Sequence, residues 1–178
     1  MNTIVINLVG GPCCGKSTIA SELFSRLKKM GIKCELCTEY IKEKIYEENN
    51  TIPKEQIALF GAEHYTIWNK LGKVDVIIKD GSFINNIIYK KEDNPEFDAL
   101  ILSEYNKCNN LTFFLNRGTL EFENYGRIHN LAESLKLDEQ IKNIHKKYNL
   151  PYIEIESRDA ADKIIPILLN KIKEETNE

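Results

Sequence analysis

One stretch constrains this chain more than any other: Gly10-Gly11-Pro12-Cys13-Cys14-Gly15-Lys16-Ser17-Thr18. It follows an apolar, β-branched run from Thr3 to Val9. It precedes a segment in which Ile19, Leu23 and Leu27 share one helical face and Gly31 stands where a helix C-cap glycine belongs. Strand, tight glycine turn and amphipathic helix in that order open a βα unit. Four further β-rich runs follow, Lys33 to Thr38, Asp75 to Lys79, Leu111 to Leu115 and Tyr152 to Ile155, separated by segments of helical period. Val5 to Val9 and Val74 to Ile78 are nearly continuous apolar runs, as strands buried on both faces should be. The alternation predicts an α/β fold with a parallel sheet covered on both sides, in which ligands gather at the C-terminal strand ends.

The helical segments carry their own patterns. Ile57, Phe60, His64, Trp68 and Leu71 repeat at 3,4,4,3 spacing, which predicts one stripe of a helix starting near Pro53. Leu137, Ile141, Ile144 and Tyr148 give another stripe. The segment from Asp159 is helical in pattern, with Pro166 expected to kink or interrupt it and the polar tail from Lys173 expected to fray.

Composition narrows the class. With 178 residues the chain can bury roughly 70% of its unfolded surface, and no Pro/Gly/Ser-rich linker divides it, so residues 1–178 read as one domain. The net charge of -3 argues against a protein that coats nucleic acid. No 18-residue apolar run is present to span a membrane, and the first lysine is Lys16, so no secretory signal is expected. Five cysteines make a poor disulfide framework and favour a cytoplasmic setting. Cys34 and Cys37 have CxxC spacing, but on a strand residues three apart point to opposite faces, and both read as small buried hydrophobes.

The glycine loop satisfies G-x-x-x-x-G-K-[ST] in its strand–loop–helix context. Gly11, Pro12, Cys13, Cys14, Gly15, Lys16, Ser17 and Thr18 are therefore the expected nucleotide contacts. Glycines let backbone N–H groups turn around phosphate oxygens, and the helix N-terminus adds partial positive charge. Lys16 would reach the β- and γ-phosphates of ATP, and the Ser17 hydroxyl would ligate Mg²⁺. Cys13 and Cys14 read as small tolerated side chains, with oxidative inactivation of a thiol at this positive helix end as a secondary hypothesis.

Asp80, closing the third strand, is a second candidate Mg²⁺ ligand, although an Asp there can merely cap the next helix. Glu39 ends strand two in the same manner and would overlook the acceptor. Only four of the 24 basic residues are Arg. Arg117 and Arg127 flank a Gly/Asn/Glu-rich stretch after strand four, which reads as a lid over residues 116–130, and their planar forks suit a transferring phosphoryl group. Arg158 follows strand five, where it would stack on a nucleobase or face solvent.

These residues resemble the P-loop nucleoside and nucleotide kinases. The match is closest to a family of compact ATP-binding domains common in phages, which includes the nicotinamide riboside kinase domain of bacterial NAD regulators. The resemblance rests on GGPCCGKST, Glu39, Lys79-Asp80-Gly81-Ser82 and the lid ending Tyr125-Gly126-Arg127. It implies a three-layer fold with a five-stranded parallel sheet in order 2-3-1-4-5. One departure is that related kinases often have Asp-Arg or Glu-Arg where this chain has Asp80-Gly81, so any contact made by that Arg must be absent or supplied elsewhere.

Residues 39–108 would then form the acceptor side, with Glu39, Tyr40, Phe60, His64 and Tyr65 as candidate substrate contacts. The stripe containing His64 reads more readily as core, while Tyr65 lies off it and would be free to stack on a base. Three function classes stay open: a small-molecule kinase, an ATP-binding regulatory or assembly ATPase with Arg158 as its finger, and a polynucleotide end kinase. The last should show a basic, aromatic-interleaved groove, whereas the Lys residues here are mixed with Glu. The leading expectation is transfer of the ATP γ-phosphate, with Lys16, Glu39, Asp80, Arg117 and Arg127 as the catalytic set, to a nucleoside-type hydroxyl. A nucleoside monophosphate is the alternative acceptor. The expected partner is that small molecule, and self-association as a homodimer is left open.

Overall fold

The computed structural model describes residues 3–41, 44, 55–118 and 130–176. Five strands, β1 (Ile4–Val9), β2 (Cys34–Cys37), β3 (Val76–Asp80), β4 (Asn109–Asn116) and β5 (Ile153–Glu156), pair in parallel in the order β2-β3-β1-β4-β5. The order matches the sequence expectation. The helices among the described residues are α1 (Lys16–Lys29), α2 (Gln56–Trp68), α3 (Asn85–Tyr89), α4 (Pro95–Asn106), α5 (Leu131–Lys147) and α6 (Ala160–Thr176), with a 3₁₀ turn at Ser157–Asp159.

β1 is apolar almost throughout because it is the middle strand and both its faces are covered. Ile4, Ile6 and Leu8 pack with Leu23 and Leu27 of α1 and Ile164 and Leu168 of α6. Val5 faces the other way, into a cluster with Phe60, Ile77, Phe83 and Ile101. Each such fully buried aliphatic contributes ~1.5–3 kcal/mol relative to exposure. Cys34 lies in the first cluster and Cys37 in the second, as two strand residues three apart should, and all five cysteines are free. α1 ends as its sequence requires. Gly31 takes φ +78, its N–H bonds to the Lys28 carbonyl, and the Ile32 N–H bonds to that of Leu27.

Three expectations need correction. On α2 the buried face is Leu59, Phe60, Glu63 and Ile67, while Ile57 and Trp68 are exposed. The helix is apolar on several sides, so periodicity alone picked the wrong stripe, and a buried carboxylate marks the true one. Pro53 lies outside the described residues. Pro166 does not interrupt α6, which is continuous from Ala160 to Thr176. It occupies the solvent face, where losing one N–H donor from the helix ladder costs least. The tail is helical to Thr176 because Glu175 is held by Lys171 (3.6 Å) and by the Asn109 side chain (2.5 Å).

The register positions the site. Leu8 pairs with Asp80, Val9 with Phe114 and Cys37 with Lys79. The residues just beyond β1, β2, β3 and β4 therefore converge at one end of the sheet.

Candidate phosphate-binding site

Gly10, Cys13 and Gly15 take positive φ (+147, +63 and +85), which bends the chain between β1 and α1 into a closed loop. The outer peptide groups of that loop are all engaged. The Lys16 ammonium donates to the carbonyls of Gly10 (2.7 Å) and Gly11 (2.9 Å). The Pro12 carbonyl accepts from Ser134 Oγ and from Arg117 (2.8 Å each), and Arg117 Nε reaches the Cys13 carbonyl (3.3 Å). Ser157 Oγ donates to the Cys14 carbonyl (2.7 Å), and the Gly15 carbonyl accepts from the Ile19 N–H (2.9 Å) in the first turn of α1. In a trans peptide the N–H points away from the carbonyl of the same unit. Pinning the Pro12, Cys13 and Cys14 carbonyls outward therefore turns the Cys13, Cys14 and Gly15 amides inward, toward an anion at the N-terminus of α1.

Ser17 Oγ donates to Asp80 Oδ2 at 2.6 Å. Asp80 is only 3% exposed, and its Oδ1 is buried without a hydrogen-bond partner among the described residues. An unsatisfied buried carboxylate oxygen beside a hydroxyl is a donor set suited to a cation. Among the described residues no three acidic, His or Cys side chains form a ready metal cage. One or two protein oxygens are what Mg²⁺ takes when it arrives on a nucleotide.

Burial works against the charge on Lys16, but the Cys14 thiol and the Glu39 and Asp80 carboxylates outweigh it, and the ammonium is held above the ordinary lysine value. Burial pushes the Glu39 carboxyl above the ordinary glutamate range; Lys16 pulls it back, while Asp80 and Glu63 push it further up. Burial and the Glu39 and Asp138 carboxylates likewise raise Tyr89, at the end of α3. On the far side of β3, Lys79 is 1% exposed and pairs with Glu63 Oε2 at 3.2 Å. Asn86 Nδ2 also donates to that oxygen (3.3 Å), and the Phe83 ring lies 5.9 Å from the ammonium.

The expected residues fare unequally. Gly11 to Thr18, Glu39 and Asp80 come together. Tyr40 is half-buried beneath Lys44 (5.0 Å). His64 bonds Glu104 at 3.0 Å and lies 5.9 Å from both the Phe60 and Phe83 rings. Tyr65 is 61% exposed against Trp68, on the side of α2 opposite Glu63. Arg117 donates to the Pro12 and Cys13 carbonyls of the loop, because β4 runs beside β1 and delivers it there, whereas the expected lid over residues 116–130 lies largely outside the described residues. Arg127 and residues 119–129 lie outside the described residues. Arg158 is exposed on the 3₁₀ turn.

Gly81 follows Asp80 because the backbone turns there at φ +109, with its N–H bonded to the Leu8 carbonyl. Sequence reasoning gave Lys79 no role of its own beside Asp80 and missed Glu63, Tyr89, Ser134, Asp138 and Ser157 as parts of this region. A lysine between the apolar run and the closing Asp80 of a buried strand, and a serine in the buried stripe Ser134, Leu137, Ile141 and His145, were the available signals.

Among the described residues no helix is long and apolar enough to cross a membrane. No curated protein matches the chain. A family model described as AAA domain matches residues 5–163, from the second residue of β1 into α6, and so spans the loop, Asp80 and every strand. With that match laid over the engaged loop, the chain belongs to the AAA domain family and is a P-loop nucleotide-binding domain.

Proposed function

We propose that this domain transfers the γ-phosphoryl group of ATP to a hydroxyl of a small, nucleoside-type acceptor. The observation that carries the reading is Glu39. It is a carboxylate beyond the end of β2 that burial, with Asp80 and Glu63 nearby, holds above the ordinary glutamate value against the pull of Lys16 and Lys79, as suits a group that must take up a proton. The acceptor oxygen attacks the γ-phosphorus, the bond to the ADP oxygen breaks, and the hydroxyl proton passes to Glu39. Lys16, seated on the Gly10 and Gly11 carbonyls, would give its remaining N–H to phosphate oxygens. Mg²⁺ carried with ATP would be held by Ser17 and Asp80 and would supply neutralisation of phosphate charge.

A phosphate acceptor asks instead for cationic forks. Residues 39–108 contain no arginine, and Lys79 is already neutralised by Glu63. The test is ADP release against parallel panels of nucleosides and nucleoside monophosphates. Turnover with nucleosides is expected, with Glu39→Gln slowing kcat by about 10²-fold or more and leaving ATP affinity unchanged. Turnover confined to monophosphates defeats the reading.

The family match favours a second reading, ATP hydrolysis without an acceptor. In that case ADP release would be independent of either panel, and the exposed Arg158 would be the residue to offer a neighbouring copy, with Arg158→Ala lowering the rate.

A further inference from the structure

Gly11 stands at a position where the G-x-x-x-x-G-K-[ST] pattern accepts any residue. Its surroundings say why it is glycine. A Cβ there would meet the Ser134 carbonyl at 2.5 Å, Ser134 Oγ at 2.6 Å and Asp138 Oδ1 at 3.1 Å. The first turns of α5 are thus seated directly on the phosphate loop. Asp138 Oδ1 accepts from the Gly11 N–H at 2.6 Å, and its Oδ2 lies 3.9 Å from the Arg117 guanidinium.

The peptide unit joining Gly10 to Gly11 is gripped on both sides. Its carbonyl accepts from Lys16 and its N–H donates to Asp138. With the unit trans, these two bonds pull in opposite directions across one rigid plane. The next units are fixed by the same assembly, since Arg117 and the fully buried Ser134 hold the Pro12 carbonyl and Arg117 holds that of Cys13. A short charge-assisted bond from a carboxylate to a backbone amide outweighs a neutral one by roughly twofold, so removing it frees the plane to rotate.

We propose that Asp138 is a positioning residue for nucleotide binding. It fixes the Gly10–Gly11 peptide against rotation and balances the charge of Arg117, and so keeps the loop carbonyls outward and the Cys13, Cys14 and Gly15 amides aimed at phosphate. The proposal rests on the nucleotide-binding reading of the loop and is independent of which acceptor follows.

The experiment compares the whole chain with Asp138→Ala and Asp138→Asn, titrating ATP and ADP with Mg²⁺ by calorimetry and following nucleotide-free melting. Asparagine keeps a side-chain oxygen for the Gly11 amide, whereas alanine leaves that amide unpaired. The expected result is a tenfold or greater loss of affinity for both nucleotides in Asp138→Ala, recovery to within about threefold in Asp138→Asn, and faster hydrogen exchange at Cys13 to Gly15 in the alanine variant alone. Unchanged affinity in Asp138→Ala overturns the proposal. So does equal loss in both variants, or a loss that only follows the melting temperature. A wild-type chain that binds nucleotide but turns over no acceptor defeats the hydroxyl-kinase reading and leaves this one standing; failure to bind either nucleotide defeats both.

Discussion

The two sides of the site are built from different materials. The phosphate loop is almost entirely backbone: its carbonyls are held by Lys16, Arg117, Ser134 and Ser157 so that its amides serve the ligand. The proposed acceptor side is made of side chains, with Glu39 coupled to a buried Lys79–Glu63 pair and the Phe60 and Phe83 rings in edge contact (5.5 Å). Backbone amides are the same in every protein, so the loop's chemistry follows from its shape. The acceptor side has no such generality, and its chemistry depends on which charges partner one another across long separations in the chain. Recognition of phosphate is therefore generic here, and under the proposed transfer reading discrimination among acceptors would fall to a few paired side chains.

The largest expected effect tests whether the acceptor side depends on that pairing. Lys79→Met leaves the Glu63 carboxylate buried without its cation and should cost about 3–5 kcal/mol of stability. Adding Glu63→Gln, which still accepts from Asn86, should restore most of it. Urea denaturation of both single variants and the double variant would measure the coupling; additive losses would mean that the pair is not a unit.

On the loop side, Lys16→Ala removes a cation aimed at phosphate and leaves the Gly10 and Gly11 carbonyls without their donor. Phosphoryl transfer or hydrolysis should fall by roughly 10²- to 10³-fold, with the fold retained by circular dichroism. A loss as large from Lys79→Met under conditions where that variant is folded would erase the distinction between the two sides.

A smaller effect lies outside both regions. His145 is buried, and its Nδ1–H donates to the Leu150 carbonyl at 3.2 Å. Burial holds its pKa below the ordinary 6.5, with the Leu150 bond opposing. Above pH 6.5 the imidazole is neutral in both folded and unfolded chains. As the pH falls from about 6.5, the unfolded chain takes up a proton that the folded one refuses, and stability is lost until the folded pKa is passed. Between pH 7.5 and 5.5 the wild type should therefore lose more stability than His145→Gln does, measured as the shift in urea midpoint.

The smallest effect checks the orientation of α2. Tyr65→Ala should leave kcat and KM within about a factor of two, as exposed substitutions do, whereas Phe60→Ala should disturb both folding and turnover. If Tyr65→Ala raised KM strongly, the exposed face of α2 would have to be counted as part of the acceptor site.

Much of this was legible in the chain itself. Strand β1, the loop and the Gly31 cap followed from local rules, apolar runs, glycine at positive φ and helical spacing after Lys16, while the strand order came from the family resemblance. Periodicity failed on α2, where both the chosen stripe and the true one contain Phe60 and the polar member of the true one, Glu63, is buried only because Lys79 comes to meet it. Arg117 was visible as a phosphate-seeking group after β4, but its partners were not. Its place behind the loop follows from β4 lying next to β1, with Arg117 and Cys13 104 positions apart in the chain.

The sequence by itself determined the parallel βα framework, the phosphate loop and the Ser17 and Asp80 oxygens beside it. Each depends on residue type and short spacing, and the backbone conformations and burial of neighbouring residues enforce them. Only the tertiary structure decided which groups hold the loop in shape and which buried charges pair beside it. Asp138 meets Gly11 across 127 residues, and Lys79 meets Glu63 from a different element of the fold. Contacts of that kind carry no local signature, because their energy comes from removing both partners from water at once, and only the packed sheet brings them together.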